Sequence, residues 1–203
     1  MVAAVIAIEF DQLSFVNEMT NTTELALVRA LNTTATRDRT KFARAARNQV
    51  AFPASYVSPS SKRLWLKTKA KRSSLETVIE GRGSATSLAR FTKQKPLSGG
   101  QRHKGGKINV TVKPGQTRSI RRAFLMRLKN NNVGLAVRTD GSLPKGAYKP
   151  RSLGKNLWLL YGPSVDQALR SASDGGGIYE EMTPESLEFL EKEFFRQLEL
   201  LNG

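Results

Sequence analysis

The strongest structural signal in the chain is the alternation in Lys107-Ile-Asn-Val-Thr-Val-Lys113, which runs straight into Pro114-Gly115. Ile108, Val110 and Val112 fall on every second position, the period that sends alternate side chains to opposite faces of a strand. Pro114-Gly115 has the residues of a type II turn, proline presetting one φ and glycine free to adopt a positive one. The chain then returns through 118–128. Asn130-Asn131-Asn132 turns it again into 133–138, where Val133, Leu135 and Val137 face together. These pieces predict an antiparallel meander.

Outward from that meander, residues 63–69 and 75–80 read as short strands, with Leu75, Thr77 and Ile79 alternating with Glu76, Val78 and Glu80. Residues 91–106 and 140–155 read as long basic loops. The apolar run 157–161 and Gly162-Pro163 lead into a short helix over 164–171. Upstream, a long helix is predicted over about 23–51 from Leu25, Val28, Leu31, Ala35, Phe42, Ala46 and Val50, whose spacing is helical. Asn21 and Glu24 are spaced as a capping box, and Pro53 ends the helix. Arg39 falls on the apolar side of this helix, which predicts a bend in the β-branched 33–36 stretch. The apolar Met1–Ile8 opening lacks a basic flank and meets Glu9 and Asp11 at once, so it predicts a first strand rather than a signal peptide or span. Residues 11–19 read as a short helix or turn.

Thr183, Pro184 and Glu185 predict the N-cap and first turn of a last helix. Its stripe is Leu187, Leu190, Phe194, Leu198 and Leu201, with Phe189 and Leu200 on another face. The predicted class is α+β. A single domain places a long N-terminal helix on an antiparallel sheet or meander, with long basic loops and a C-terminal helix. Residues 1–172 would form the core and 173–203 a flexible break with the amphipathic helix.

Charge is unevenly distributed. From Gly81 to Thr139 the chain carries fourteen Lys and Arg and not one Asp or Glu. Residues 29–155 are +26, with thirty bases against Asp38, Glu76, Glu80 and Asp140; the flanks are −4 and −6. Such a chain faces a polyanion or an acidic protein surface. Three clusters are candidate contacts with DNA or an acidic partner. One is the helix face Arg37, Lys41, Arg44 and Arg47. A second is Lys62, Arg63, Lys67, Lys69, Lys71 and Arg72. The third is the loop set Arg90, Lys93, Lys95, Arg102, Lys104 and Lys107. Aromatics near them are few, so no base-stacking platform is spelled out.

Enzyme chemistry is not indicated. The absence of Cys excludes disulfides, thiolate metal sites and Cys nucleophiles. His103 is the lone histidine, and no ligand set surrounds it in sequence. Leu97-Ser98-Gly99-Gly100-Gln101 matches the signature pentapeptide of ABC transporter ATPases. Position 101 is Gln, Gly105-Gly106-Lys107 is followed by Ile108, and residues 107–113 alternate as a strand, so the phosphate-binding context is missing. No cofactor or metal is expected.

The order of the pieces carries a resemblance that no single piece does. Arg63-Leu-Trp-Leu-Lys67, Ser87-Leu-Ala-Arg-Phe91 and the Gly/Lys loop precede residues 108–112 and Arg122-Ala-Phe-Leu125. Residues 133–138, Leu160-Tyr-Gly-Pro-Ser-Val165 and a Leu/Glu-rich final helix follow. Over residues 20–200 this resembles the minor tail protein Z family of long-tailed bacteriophages and prophages, the lambda-type tail-completion proteins. A Gly is common in that family before the Ala of the Ala-Phe strand; here the position is Arg122.

The resemblance implies a structural virion protein rather than an enzyme, assembled in the host bacterial cytoplasm and acting at the head-proximal end of the tail. It implies a role in joining head to tail and in placing the DNA end. Expected partners are further copies in a ring (sixfold first, twelvefold second), tail-terminator, connector or tape-measure proteins, and genomic double-stranded DNA, with no membrane. Phe189, Phe195 and Leu200 of the last helix are expected to make subunit contacts. The alternative, from charge alone, is a nucleic-acid-binding protein without sequence specificity.

Overall fold

The computed structural model describes residues 5–7, 21–98, 103–140, 142, 144, 148–154, 156–170 and 177–203. The expected helix or turn over 11–19 and the break over 173–176 lie outside them. The architecture is α+β: a long N-terminal helix, antiparallel sheets and a C-terminal helix. The chain divides into two compact units. One holds residues 1–46, 57–83 and 166–203, the other 47–56 and 84–165. The division expected at 172/173 therefore does not follow the packing, because the last helix belongs to the first unit.

In the first unit, α1 (Asn21–Gln49) is one uninterrupted helix with no break at 33–36. Thr36 and Thr40 donate their hydroxyls to the carbonyls four residues back, at 2.8 and 3.2 Å, which accommodates these β-branched residues within the helix. Arg39 needs no bend either. It is 6% exposed, and its guanidinium donates to the carbonyls of Leu64 (3.0 Å) and Val57. Burial pushes its pKa below the ordinary arginine value. An arginine on the apolar face is thus a polar rivet, not a flaw in the periodicity.

Three strands, β1 (Val5–Ala7), β2 (Leu64–Thr68) and β3 (Val78–Gly81), pair antiparallel in the order β1-β3-β2. The central β3 begins later than the expected residue 75. Thr77, Val78 and Ile79 are all buried, so the strand does not show the one-sided exposure that its alternation predicts. Asn32 of α1 donates to the Ala70 carbonyl and accepts from the Ala70 N–H, at 3.1 and 3.0 Å, holding the chain just beyond β2. Leu27, Ala30, Leu31, Ala70 and Leu190 form the core here, flanked by Val28, Leu75 and Phe194.

Leu190 and Phe194 come from α3 (Ile178–Asn202), which starts five residues before the expected cap at Thr183. Gly177 is the N-cap residue. Thr183 donates its hydroxyl back to the Tyr179 carbonyl at 2.8 Å, and Pro184 lies inside the helix, on its exposed side. The helix α2 (Val165–Arg170) falls within the expected span.

The described residues of the second unit form seven strands: β4 (Thr86–Ser87), β5 (Lys107–Lys113), β6 (Gln116–Arg121), β7 (Ala123–Arg127), β8 (Val133–Arg138), β9 (Tyr148–Gly154) and β10 (Leu157–Gly162). All pair antiparallel, β5 with β6 in a two-stranded sheet and the rest in a five-stranded sheet ordered β4-β10-β8-β7 with β9 on β10. The turn at Gly115 (φ 76°) and that at Asn131 (φ 60°) fall where expected. Two expectations are corrected. The return over 118–128 is not one strand but two, in different sheets. The expected loop 140–155 contains β9, whose Tyr148–Gly154 sequence has no apolar alternation and owes its extended form to pairing with β10. Phe52, Tyr56 and Phe91 pack ring to ring at 5.5 and 5.7 Å, and the Tyr56 and Thr86 hydroxyls hydrogen-bond at 3.1 Å.

The break between β6 and β7 is Arg122, held at φ 57° with its N–H donating to the Gly106 carbonyl at 2.9 Å. A left-handed residue with a Cβ costs about 1–2 kcal/mol, and glycine avoids that at some cost in chain entropy. Arg122→Gly is therefore expected to hold or raise stability by up to about 1 kcal/mol, read as an unchanged or higher urea midpoint. A drop of that size would show that the Arg122 side chain is needed to hold the turn.

Candidate polyanion and acidic-partner interface

The two units differ sharply in charge. The second holds 18 of the 33 Lys and Arg and one acid, Asp140, so it is +17; the first holds 15 bases and 16 acids, so it is −1. The polarity of the chain is a polarity between packed units, not between its middle and its ends.

Within the first unit, part of the predicted contact set is already engaged. Arg37 reaches Glu185 of α3 at 2.6 Å, Lys41 pairs with the same carboxylate, and the Arg37 guanidinium lies 4.1 Å over the Phe189 ring. The Lys41 hydrogen bond is the main reason why the Glu185 carboxyl sits below its ordinary pKa. Phe189, expected at a subunit contact, is covered by an arginine of its own chain, whereas Phe195 and Leu200 are 53% and 62% exposed. Arg44 is exposed beside Arg37 and Lys41 on α1. In the second cluster Lys67 bonds Glu80 across the β2–β3 pair at 2.5 Å, and Arg63 donates to the Ser61 carbonyl at 3.3 Å. Lys62, Lys69, Lys71 and Arg72 are exposed.

Asp38 lies under this network, 3% exposed and 3.3 Å from Arg37. Burial raises its pKa; a Ser186 hydrogen bond, Arg37 and Lys41 pull it down, and Glu185 adds to the rise. A raised carboxyl stabilises the fold fully below its unfolded value, and that contribution is lost as pH rises through the folded value. Asp38→Asn should therefore gain stability relative to wild type as pH rises from 3 to 7, seen in urea midpoints at both pH values. A constant difference would show that Asp38 is not held above its ordinary value.

In the second unit Arg47 donates to the Phe52 carbonyl at 3.3 Å and stays exposed, and the Arg90 guanidinium sits 5.9 Å from the Tyr56 ring centre. Lys93, Lys95 and Lys107 are exposed. Arg102 and the Lys104 side chain lie outside the described residues, as do positions 99–101 of the pentapeptide. Among the described residues a single 3-10 turn over 104–106 is followed at once by the strand that Lys107 opens, so no α-helix follows there. No group of three metal-ligating side chains occurs among the described residues, and no described helix is long and apolar enough to cross a membrane.

Sequence reasoning missed a second basic site in this unit. Lys113, Arg118, Arg121, Arg122 and Arg138 line a cleft of about 820 Å³ whose walls include Val110, Val112, Ile120, Val137 and Leu160. Among the described residues its only acid is Asp140, 3.6 Å from Arg122, with both side chains largely in solvent. Such a pair holds at most about 1 kcal/mol, so the cleft stays strongly cationic. The clue was the acid-free run itself: grouping cations by neighbouring position left out Lys113, Arg118, Arg121, Arg122 and Arg138, which meet only in three dimensions. In comparisons with known proteins, the chain matches no family model, no curated protein and no solved structure.

Proposed function

We propose that the chain is a structural subunit of a tailed-phage neck, a tail-completion protein of the Z type. In this reading it forms a ring at the head-proximal end of the tail and helps join head to tail. Its place is the virion and it catalyses no reaction. The observation that carries the reading is the order of segments from residue 63 to the final helix. The charge division supports it: a chain with one unit of +17 and one near neutral suits a subunit that presents the first to DNA, or to an acidic neighbouring ring, and keeps the second for its own fold. Closed cyclic symmetry is the usual way for identical subunits to surround an axis.

A density map of the neck tests it. The expected result is a ring of this chain between head and tail, with particles lacking it accumulating as separate heads and tails. Virions that lack the protein and still infect would end the proposal. A second reading, a nucleic-acid-binding protein without sequence specificity, is favoured by the unneutralised cations of the second unit. It requires tight binding to free duplex or RNA by the isolated chain at physiological salt.

A further inference from the structure

The cationic cleft of the second unit needs an occupant that is both acidic and apolar. Val110 and Leu160 are buried within the unit, but phosphate backbones would supply charge and still leave the partly exposed apolar walls, Val112 and Ile120, against water. An acidic helix with large apolar side chains answers both requirements. The chain carries such a surface itself. On α3, Leu187, Glu191, Phe195 and Glu199 recur every four residues, a stripe about 18 Å long at 1.5 Å per residue. Leu187 is 49% exposed and Phe195 53%, on the side away from the buried Ser186, Leu190, Glu193 and Gln197. Glu191 and Glu199 are exposed and make no ion pair among the described residues, while Glu188 beside them is matched by Lys192.

We infer that the cleft lined by Lys113, Arg118, Arg121 and Arg138 receives the Leu187–Glu191–Phe195–Glu199 stripe of α3 from a second copy of this chain. The inference rests on the ring reading above and names its contact. Apolar side chains of the stripe meet the apolar walls, and its glutamates meet the basic rim. The two surfaces are different, so the contact is heterologous and builds a closed ring or an open filament rather than a twofold dimer. It also answers the repulsion between neighbouring +17 units: each copy lends acid to the cations of the next.

Two charge reversals test this. Arg118→Glu with Arg121→Glu reverses the cleft; Glu191→Lys with Glu199→Lys reverses the helix stripe. All four side chains are exposed, and circular dichroism with melting temperature checks that each variant folds. Native mass spectrometry and sedimentation velocity on full-length chains should show association weakened at least tenfold for either variant alone. An equal mixture of the two should recover association to within about threefold, in complexes of strictly alternating composition, because each opposite pair of surfaces is again complementary. Association unchanged in both variants, or no recovery on mixing, overturns the inference. So does a wild-type chain that stays monomeric while cleft reversal abolishes duplex binding, which would make the cleft a nucleic-acid site. A neck ring seen in virions alongside unaffected association would sink this contact and leave the neck reading standing.

Discussion

Arg39→Ala is expected to lower the unfolding free energy of the first unit by about 2–4 kcal/mol, the range for removing a buried charged donor and leaving its acceptors unmatched. The guanidinium donates to the Val57 and Leu64 carbonyls from within the apolar face of α1, and alanine leaves both without that donor and opens the space that the side chain filled. Arg39→Met separates these effects: it refills the space but restores no hydrogen bond, so it should recover only part of the loss. Urea denaturation followed by circular dichroism reads both. A variant Arg39→Ala within about 0.5 kcal/mol of wild type, the scatter of ordinary surface changes, would show that the rivet holds nothing.

The second large effect is electrostatic. Six to ten phosphate contacts lose about 10³–10⁵ in affinity between 50 and 200 mM salt, and the second unit has the cations for that number. Duplex binding by the whole chain should fall within that range. Replacing Lys93, Lys95 and Lys107 together by Gln should reduce the slope of log affinity against log salt by about one per lost contact. The matching triple change at Lys69, Lys71 and Arg72, in the near-neutral first unit, should leave the slope almost unchanged. Equal losses from both sets would overturn the assignment of the polyanion side to the second unit.

Much of this architecture was legible where side chains repeat with a clear period. The β5–turn–β6 hairpin, β8, β10 and the length of α1 follow from alternation, from Pro114-Gly115 and from 3.6-residue spacing. What failed were positions governed by partners distant in sequence. Arg39 looked misplaced because the carbonyls that satisfy it lie 18 and 25 residues away. Strand β9 has no pattern of its own and is extended by its neighbour. Arg122 divides what reads as one strand, because nothing in the local sequence marks a left-handed arginine. Thr183-Pro184 imitates a helix start although the helix has already begun. The candidate site split the same way: clusters close in sequence were named, whereas the cleft needs β5, β6 and β8 brought together.

The pairing of Lys41 with Glu185 joins residues 144 apart, and this has a consequence for the order of events on the ribosome. At about 5–20 residues per second, Lys41 waits on the order of 10 s for its carboxylate. Leu190, which completes the first core, arrives later still. The second unit is finished by residue 165. The cation-rich unit is thus fully synthesised before nine of the chain's seventeen acids have been made, so the nascent chain attracts nucleic acid most strongly before its synthesis ends.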